Sequence, residues 1–289
     1  MTVNPEVAPE QKSERGITLV LCAGVIASML VALSFKVFEL DRYFVPKELI
    51  LNAAALIIAG VIVVRPRMVK LDSVDALLIL FLLWSLVSSL FATNHWLAQR
   101  AFSVSFASAA IFFGARRAAE GNSQRLLLIA AAIAGAIAAI TSLAQAYGFE
   151  SDWFTLARSP GGTLGNRNFI AHVVAISLPV VIWCTVAAKR PIGALVGSIG
   201  VALLSATLVL SRSRAAWLAV AAFIAVTSIP LLASRKYWKD SPVGGRLARM
   251  LLTAFIGGAI AIVIPNTLEW NSDSPYLDSA KNVVDYSSG

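Results

Sequence analysis

Three short stretches of this 289-residue chain set cations, amides and hydroxyls directly against apolar sequence: VPKEL at 45–49, GGTLGNRNF at 161–169 and LSRSRAAW at 210–217. The side chains they offer are Lys47, Arg167, Arg212 and Arg214, with the amides Asn166 and Asn168 between them. The chemistry such groups suit is the holding of an anion, because the planar fork of arginine matches the oxygens of a phosphate. Gly161, Gly162 and Gly165 allow backbone shapes closed to other residues and a close ligand approach. Asn166 or Asn168 can cap the helix that follows, whose N-terminus carries a partial positive charge. With Arg167 beside it, that helix end is a ready anion site. Plainer readings stand alongside: a capped helix with a surface arginine, a snorkelling Lys47 next to Glu48, and Arg212 and Arg214 reaching for headgroups. His172 falls one turn beyond Asn168 on the same face, and reads first as an interfacial histidine.

The elements that must position these groups are membrane-grade. The chain is 58% hydrophobic and only 14% charged, against about a quarter charged in a soluble domain. Its apolar runs recur at lengths that carry a helix across about 30 Å of hydrocarbon. We place spans at about 16–34, 49–64, 74–92, 98–115, 126–146, 168–188, 191–210, 215–232 and 248–265. The second is short and could be extended by a turn from the loop before it. The first is too long for the apolar part of a signal peptide and is read as an uncleaved helix. A single helix from 191 to 232 would be about 63 Å long, so the chain must double back, and SRSR at 211–214 is its only polar interruption. The fold class is therefore all-α, a polytopic transmembrane helical bundle of about nine spans. Residues 1–15 form a cytoplasmic tail, 16–265 the helical domain, and 266–289 the start of an external segment containing Trp270, Tyr276 and four acids.

Charge placement sets the expected orientation. With the N-terminus inside, 15 of the 24 lysines and arginines fall on cytoplasmic segments, which favours N-inside and C-outside by the positive-inside rule. The nine on the other side are many for a chain that obeys this rule, and most sit tight against helix ends. Ionisable groups at membrane depth usually face a bundle interior or an aqueous cavity, so these nine are the candidate list for a site. The net charge of +8 is strung between apolar runs, which speaks for topology and against nucleic acid. Cys22 and Cys184 lie inside apolar segments and provide neither a metal spacing nor a disulfide framework. No Gly-rich nucleotide loop and no acidic cluster for a divalent metal is present, so no cofactor and no metal is expected. The anion that would meet an outward-facing, cation-lined, membrane-embedded cavity is a lipid-linked phosphate or pyrophosphate.

At VPKEL (45–49), GTLGNRNFIAH (162–172), LSRSRAAWLAV (210–220) and YLDSAKNVVDYSSG (276–289) the chain resembles the N-terminal portion of the O-antigen ligase and O-antigen polymerase superfamily of bacterial envelope enzymes. The stretches run in the family's order over nearly the whole chain. The resemblance implies a glycosyltransferase of the inner membrane, with its site facing the periplasm. Such enzymes move a glycan from undecaprenyl pyrophosphate to an acceptor hydroxyl on lipid A–core, another glycan or a protein. In that scheme Arg212, Arg214 and Arg167 hold the pyrophosphate, Lys47 assists, and Asn166 and Asn168 shape the site. Arg212 best matches the family's Ser-Arg position. Family enzymes continue through a large periplasmic loop with an arginine and a catalytic histidine. This sequence stops where that loop begins, so the catalytic residue is unassigned, His172 is not its positional match, and weak or no transfer is expected of the chain as given. The same motifs admit a polysaccharide polymerase or a protein O-oligosaccharyltransferase. A membrane transporter or lipid-carrier binding protein is the alternative of another class.

Overall fold

The computed structural model describes residues 9–33, 43–66, 71–149, 154, 158–238, 241–268, 270 and 275–281. Among them all regular structure is helical. Nine helices are long and apolar enough to cross a membrane, so the chain is an all-α polytopic bundle, as expected. Large apolar side chains point outward all along them, Leu56, Val63, Trp84 and Ile229 among others. That is the arrangement hydrocarbon surroundings favour and water would penalise.

The chain divides into two compact units, Met1–Val31 with Phe38–Ala130, and Ala32–Val37 with Ala131–Gly289. The first holds α1 (Pro9–Leu30), α2 (Val45–Val64), α3 (Ser73–Leu90), α4 (His95–Glu120) and the beginning of α5 (Gln124–Ala146). The second holds the rest of α5, then α6 (Arg167–Val186), α7 (Pro191–Ser211), α8 (Arg214–Ala233), the single turn α9 (Arg235–Trp238), α10 (Pro242–Val263) and α11 (Pro275–Lys281).

Helix ends follow local chemistry. The second span does gain a turn over its apolar run, because Pro46 fits the first turn of α2, where its missing N–H is not needed. Asp72 caps α3, its carboxylate accepting from Val74 N at 2.9 Å and Asp75 N at 3.0 Å, while Asp75 accepts in return from Asp72 N at 2.9 Å. Asn94 and Ser241 cap α4 and α10 in the same way. The doubling back falls at SRSR: α7 ends at Ser211, and α8 begins at Arg214.

Small residues let the helices approach. In the first unit Ile17, Leu21, Ile58 and Ala118 form a buried cluster, and a Cβ at Gly114 would come within 2.6 Å of the Ile58 side chain. In the second, a Cβ at Gly257 on α10 would fall 2.9 Å from the Ala202 Cα on α7. Between apolar helices in lipid, this close van der Waals packing replaces the hydrophobic force that assembles soluble bundles.

Candidate anion-binding site

The site in the second unit is built on the end of α5. Gln145 is buried there, and its Oε1 accepts from the backbone amides of Gly161 at 2.8 Å and Gly162 at 2.9 Å. Its Nε2 donates to Ser159 Oγ at 3.0 Å, and Ser142 Oγ donates to the Pro160 carbonyl at 3.2 Å. Gly162 takes φ +48° and leaves no room for a Cβ, which would meet Ser142 N at 2.9 Å. One α5 face therefore dictates the loop's path, and the two glycines are what the path requires.

The loop closes where Arg167 N donates to the Arg158 carbonyl at 3.0 Å. Asn166 then caps α6, its Oδ1 accepting from Asn168 N at 2.9 Å. Of the two amides offered by the sequence, Asn166 is the buried cap, while Asn168 is exposed on the first turn of α6 and His172 is exposed one turn further. Arg167, the first residue of that helix, stands at its positive end.

The SRSR turn supplies the second arginine. Ser211 and Ser213 are buried: Ser211 Oγ donates to the Leu208 carbonyl at 2.7 Å and accepts from Ser213 N at 3.4 Å. Trp217 Nε1 donates to the same carbonyl at 2.8 Å, pinning the start of α8 to the end of α7. Ser211 thus helps hold the turn, while Ser213, at the N-cap position of α8, makes no side-chain capping bond. Arg212 takes the left-handed backbone shape, φ +52°, and Arg158 does so at φ +61°. Non-glycine residues take that shape at some cost, and such positions gather at ligand sites.

Trp270 unites these pieces. The Arg212 guanidinium lies 4.6 Å from its ring centroid and that of Arg167 lies 5.2 Å away. Each such contact contributes about 0.5–2 kcal/mol, depending on how dry it is. Arg212 Nε also donates to Ser279 Oγ at 2.8 Å, on α11. The segment that brings Trp270 and Ser279 here is itself fastened down: Thr267 N donates to the Ala146 carbonyl at 2.9 Å, and Leu268 and Tyr276 pack on a buried cluster of Ala146, Ala206, Leu210 and Ala261. Burial pushes the Arg212 guanidinium down from its ordinary value and the charge of Arg167 pushes the same way, with Tyr276 and Asp278 opposing. Neither Arg167 nor Arg212 has a carboxylate within ion-pair distance among the described residues. The arrangement is two guanidiniums, partly dried and close enough to repel, resting on one indole.

No family model, no curated protein and no solved structure matches this chain.

The other expected contacts fare differently. Arg214 opens α8 two residues beyond Arg212 and is half-buried. Lys47 lies in the first unit, on the first turn of α2, with its ammonium 5.9 Å from the Tyr43 ring centroid. Arg100, another candidate cation of the first unit, is taken up by Glu48 in a bidentate pair at 2.8 and 2.9 Å. Sequence reasoning passed over Gln145 and gave Trp270 no role. A glutamine in the last turn of an apolar span was the signal for the first; nothing local signalled the second.

Proposed function

We propose that this end of the second unit binds the pyrophosphate of a polyprenyl-linked glycan, and that the chain serves glycan transfer from that carrier at the periplasmic face of a bacterial inner membrane. The observation that carries the reading is the juxtaposition of Arg167 and Arg212 on Trp270, with no carboxylate within ion-pair distance among the described residues. Two guanidiniums so placed, at the end of helices that suit hydrocarbon, fit a lipid anion whose tail lies among the spans. Planar forks can each take two oxygens, and the positive end of α6 adds to them. In a transfer reaction the acceptor hydroxyl attacks the anomeric carbon and the lipid pyrophosphate departs. Fixed positive groups then stabilise the charge that builds on the leaving oxygen. The residues named here serve that second task, and the acceptor's proton is left to groups the reading does not name. The acceptor class is lipid A–core, a glycan or a protein hydroxyl.

The test is titration of the full chain in lipid nanodiscs with undecaprenyl pyrophosphate. Binding that Arg167→Ala and Arg212→Ala each weaken by about tenfold, the worth of one charged hydrogen bond, supports the reading; equal binding by both variants overturns it. Reporter fusions at residues 150 and 240 test the orientation, and a cytoplasmic signal at 150 would remove the site from the periplasm.

A further inference from the structure

Two partly buried cations that repel each other do not stay together unless something holds them. Around the pair the chain offers Arg212 one neutral oxygen, Ser279 Oγ at 2.8 Å, and gives the guanidinium of Arg167 no hydrogen-bond partner among the described residues. What both guanidiniums share is the indole of Trp270, at 5.2 and 4.6 Å from the ring centroid.

The other end of this indole is as informative as its face. Trp270 Nε1 is buried with no hydrogen-bond partner among the described residues, whereas Trp217 and Trp238 each donate to a backbone carbonyl. A buried N–H without an acceptor is costly and uncommon. Its donor therefore does not explain where Trp270 sits, and its ring does. The negative face of an aromatic ring attracts cations, most strongly in tryptophan.

We infer that Trp270 is a positioning residue of the anion site, holding Arg167 and Arg212 ready before a phosphate or pyrophosphate arrives and doing so through its ring face. The inference rests on the anion-site reading of Arg167 and Arg212 and deepens it. A ligand entering a pair already in place loses less affinity to ordering the side chains. The chemistry is that of any multiply charged phosphate, so a free anion and a lipid headgroup are distinguished by using both as probes.

The full chain in lipid nanodiscs is titrated with inorganic pyrophosphate and, separately, with undecaprenyl pyrophosphate, with thermal unfolding recorded for every variant. Trp270→Phe keeps a ring face and discards the unpaired N–H, so it should bind within about threefold of the parent and unfold no earlier. Trp270→Leu removes the face and should weaken both probes by about tenfold. Weakening of the lipid probe alone would assign the site to a headgroup held partly by its tail, and still requires the Phe and Leu variants to part company. In a double-mutant cycle, Trp270→Leu and Arg212→Lys should be strongly non-additive, because each breaks the same stacked contact. Should Trp270→Leu bind as the parent does while Arg212→Ala is weakened, the positioning role is wrong and the site stands. Equal losses in Phe and Leu would also sink it, by showing that the N–H was what mattered. If Arg167→Ala and Arg212→Ala bind normally, the anion site itself is wrong. If the Leu variant fails to fold, Trp270→Gln takes its place as the variant without a ring, in the binding comparison and in the cycle, with the same two outcomes.

Discussion

Two pairs of arginines, one pair in each unit, are treated in opposite ways. In the first, Arg116 on α4 closes on Asp75, a carboxylate with no exposed surface, and reaches Asp72 at 3.3 Å. Arg100 grips Glu48 with both oxygens, and Arg117 donates to the Arg65 carbonyl at 2.8 Å. These contacts join α3 to α4 and α2 to α4, so each cation is consumed in fastening helices. In the second unit Arg167 and Arg212 meet an aromatic face and a hydroxyl instead of carboxylates. A neutralised arginine is structural cement, whereas one left without counter-charge retains the capacity to bind an anion. Composition alone hides this difference, because both kinds sit at helix ends beside apolar sequence.

If the contrast is real, removing charge should damage the two units differently. The largest loss is expected for Asp75→Ala, which strands Arg116 and takes away half of the α3 capping box; breaking one side of a buried pair leaves the other uncompensated. The midpoint of thermal unfolding should fall by several degrees, and an unchanged midpoint would deny the pair its fastening role. Next in size is Gln145→Leu, which removes the acceptor of two loop amides and should destabilise by about 2 kcal/mol or more. The same variant should lose pyrophosphate binding as the loop gives way, whereas Gln145→Glu keeps the accepting oxygen and should retain both properties. Smaller still is Arg212→Ala: about tenfold weaker pyrophosphate binding by calorimetry, with a loss in the unfolding midpoint well below that of Asp75→Ala, since only the Trp270 contact and the Ser279 bond go. A midpoint that falls as far as for Asp75→Ala would make Arg212 cement too, and the contrast would collapse.

How much of this could be read from residues alone follows from the range of each signal. Spans and their turning points are local: an apolar run of sufficient length, a proline at 46 or 191, and the polar SRSR break each announce themselves within a few residues. Boundaries moved outward where a cap extends a helix past its apolar stretch, as Asn94 does for α4 and Ser241 for α10, and inward at the C-terminal ends of α3, α6 and α10. At the site, Arg167 and Arg212 were legible because they stand where a helix end meets a polar turn. Which of Asn166 and Asn168 caps α6 was left open, since sequence cannot tell the capping side chain from the residue whose N–H is capped; the structure gives the cap to Asn166. Arg100 was legible as a cation but not as half of a pair, because Glu48 is 52 positions away. Trp270 was the hardest, for it reaches Arg167 only after four intervening helices have turned the chain back to the same end of the unit.

The smallest expected effect probes what now occupies Arg212. Ser279 Oγ accepts from its Nε and donates its own proton to the Pro275 carbonyl at 2.8 Å, so on the proposed reading an incoming ligand oxygen would have to displace this neutral acceptor. A neutral acceptor is a weaker partner for a guanidinium than a phosphate oxygen, and exchanging one for the other should favour the anion. Ser279→Ala frees Nε beforehand and leaves α11 its helical backbone, so pyrophosphate should bind about threefold more tightly with little change in the unfolding midpoint. Weaker binding would mean that Ser279 aims Arg212 instead of occupying it. The second unit would then resemble the first more closely, with its arginine fastened by the protein and its readiness for an anion dependent on that fastening.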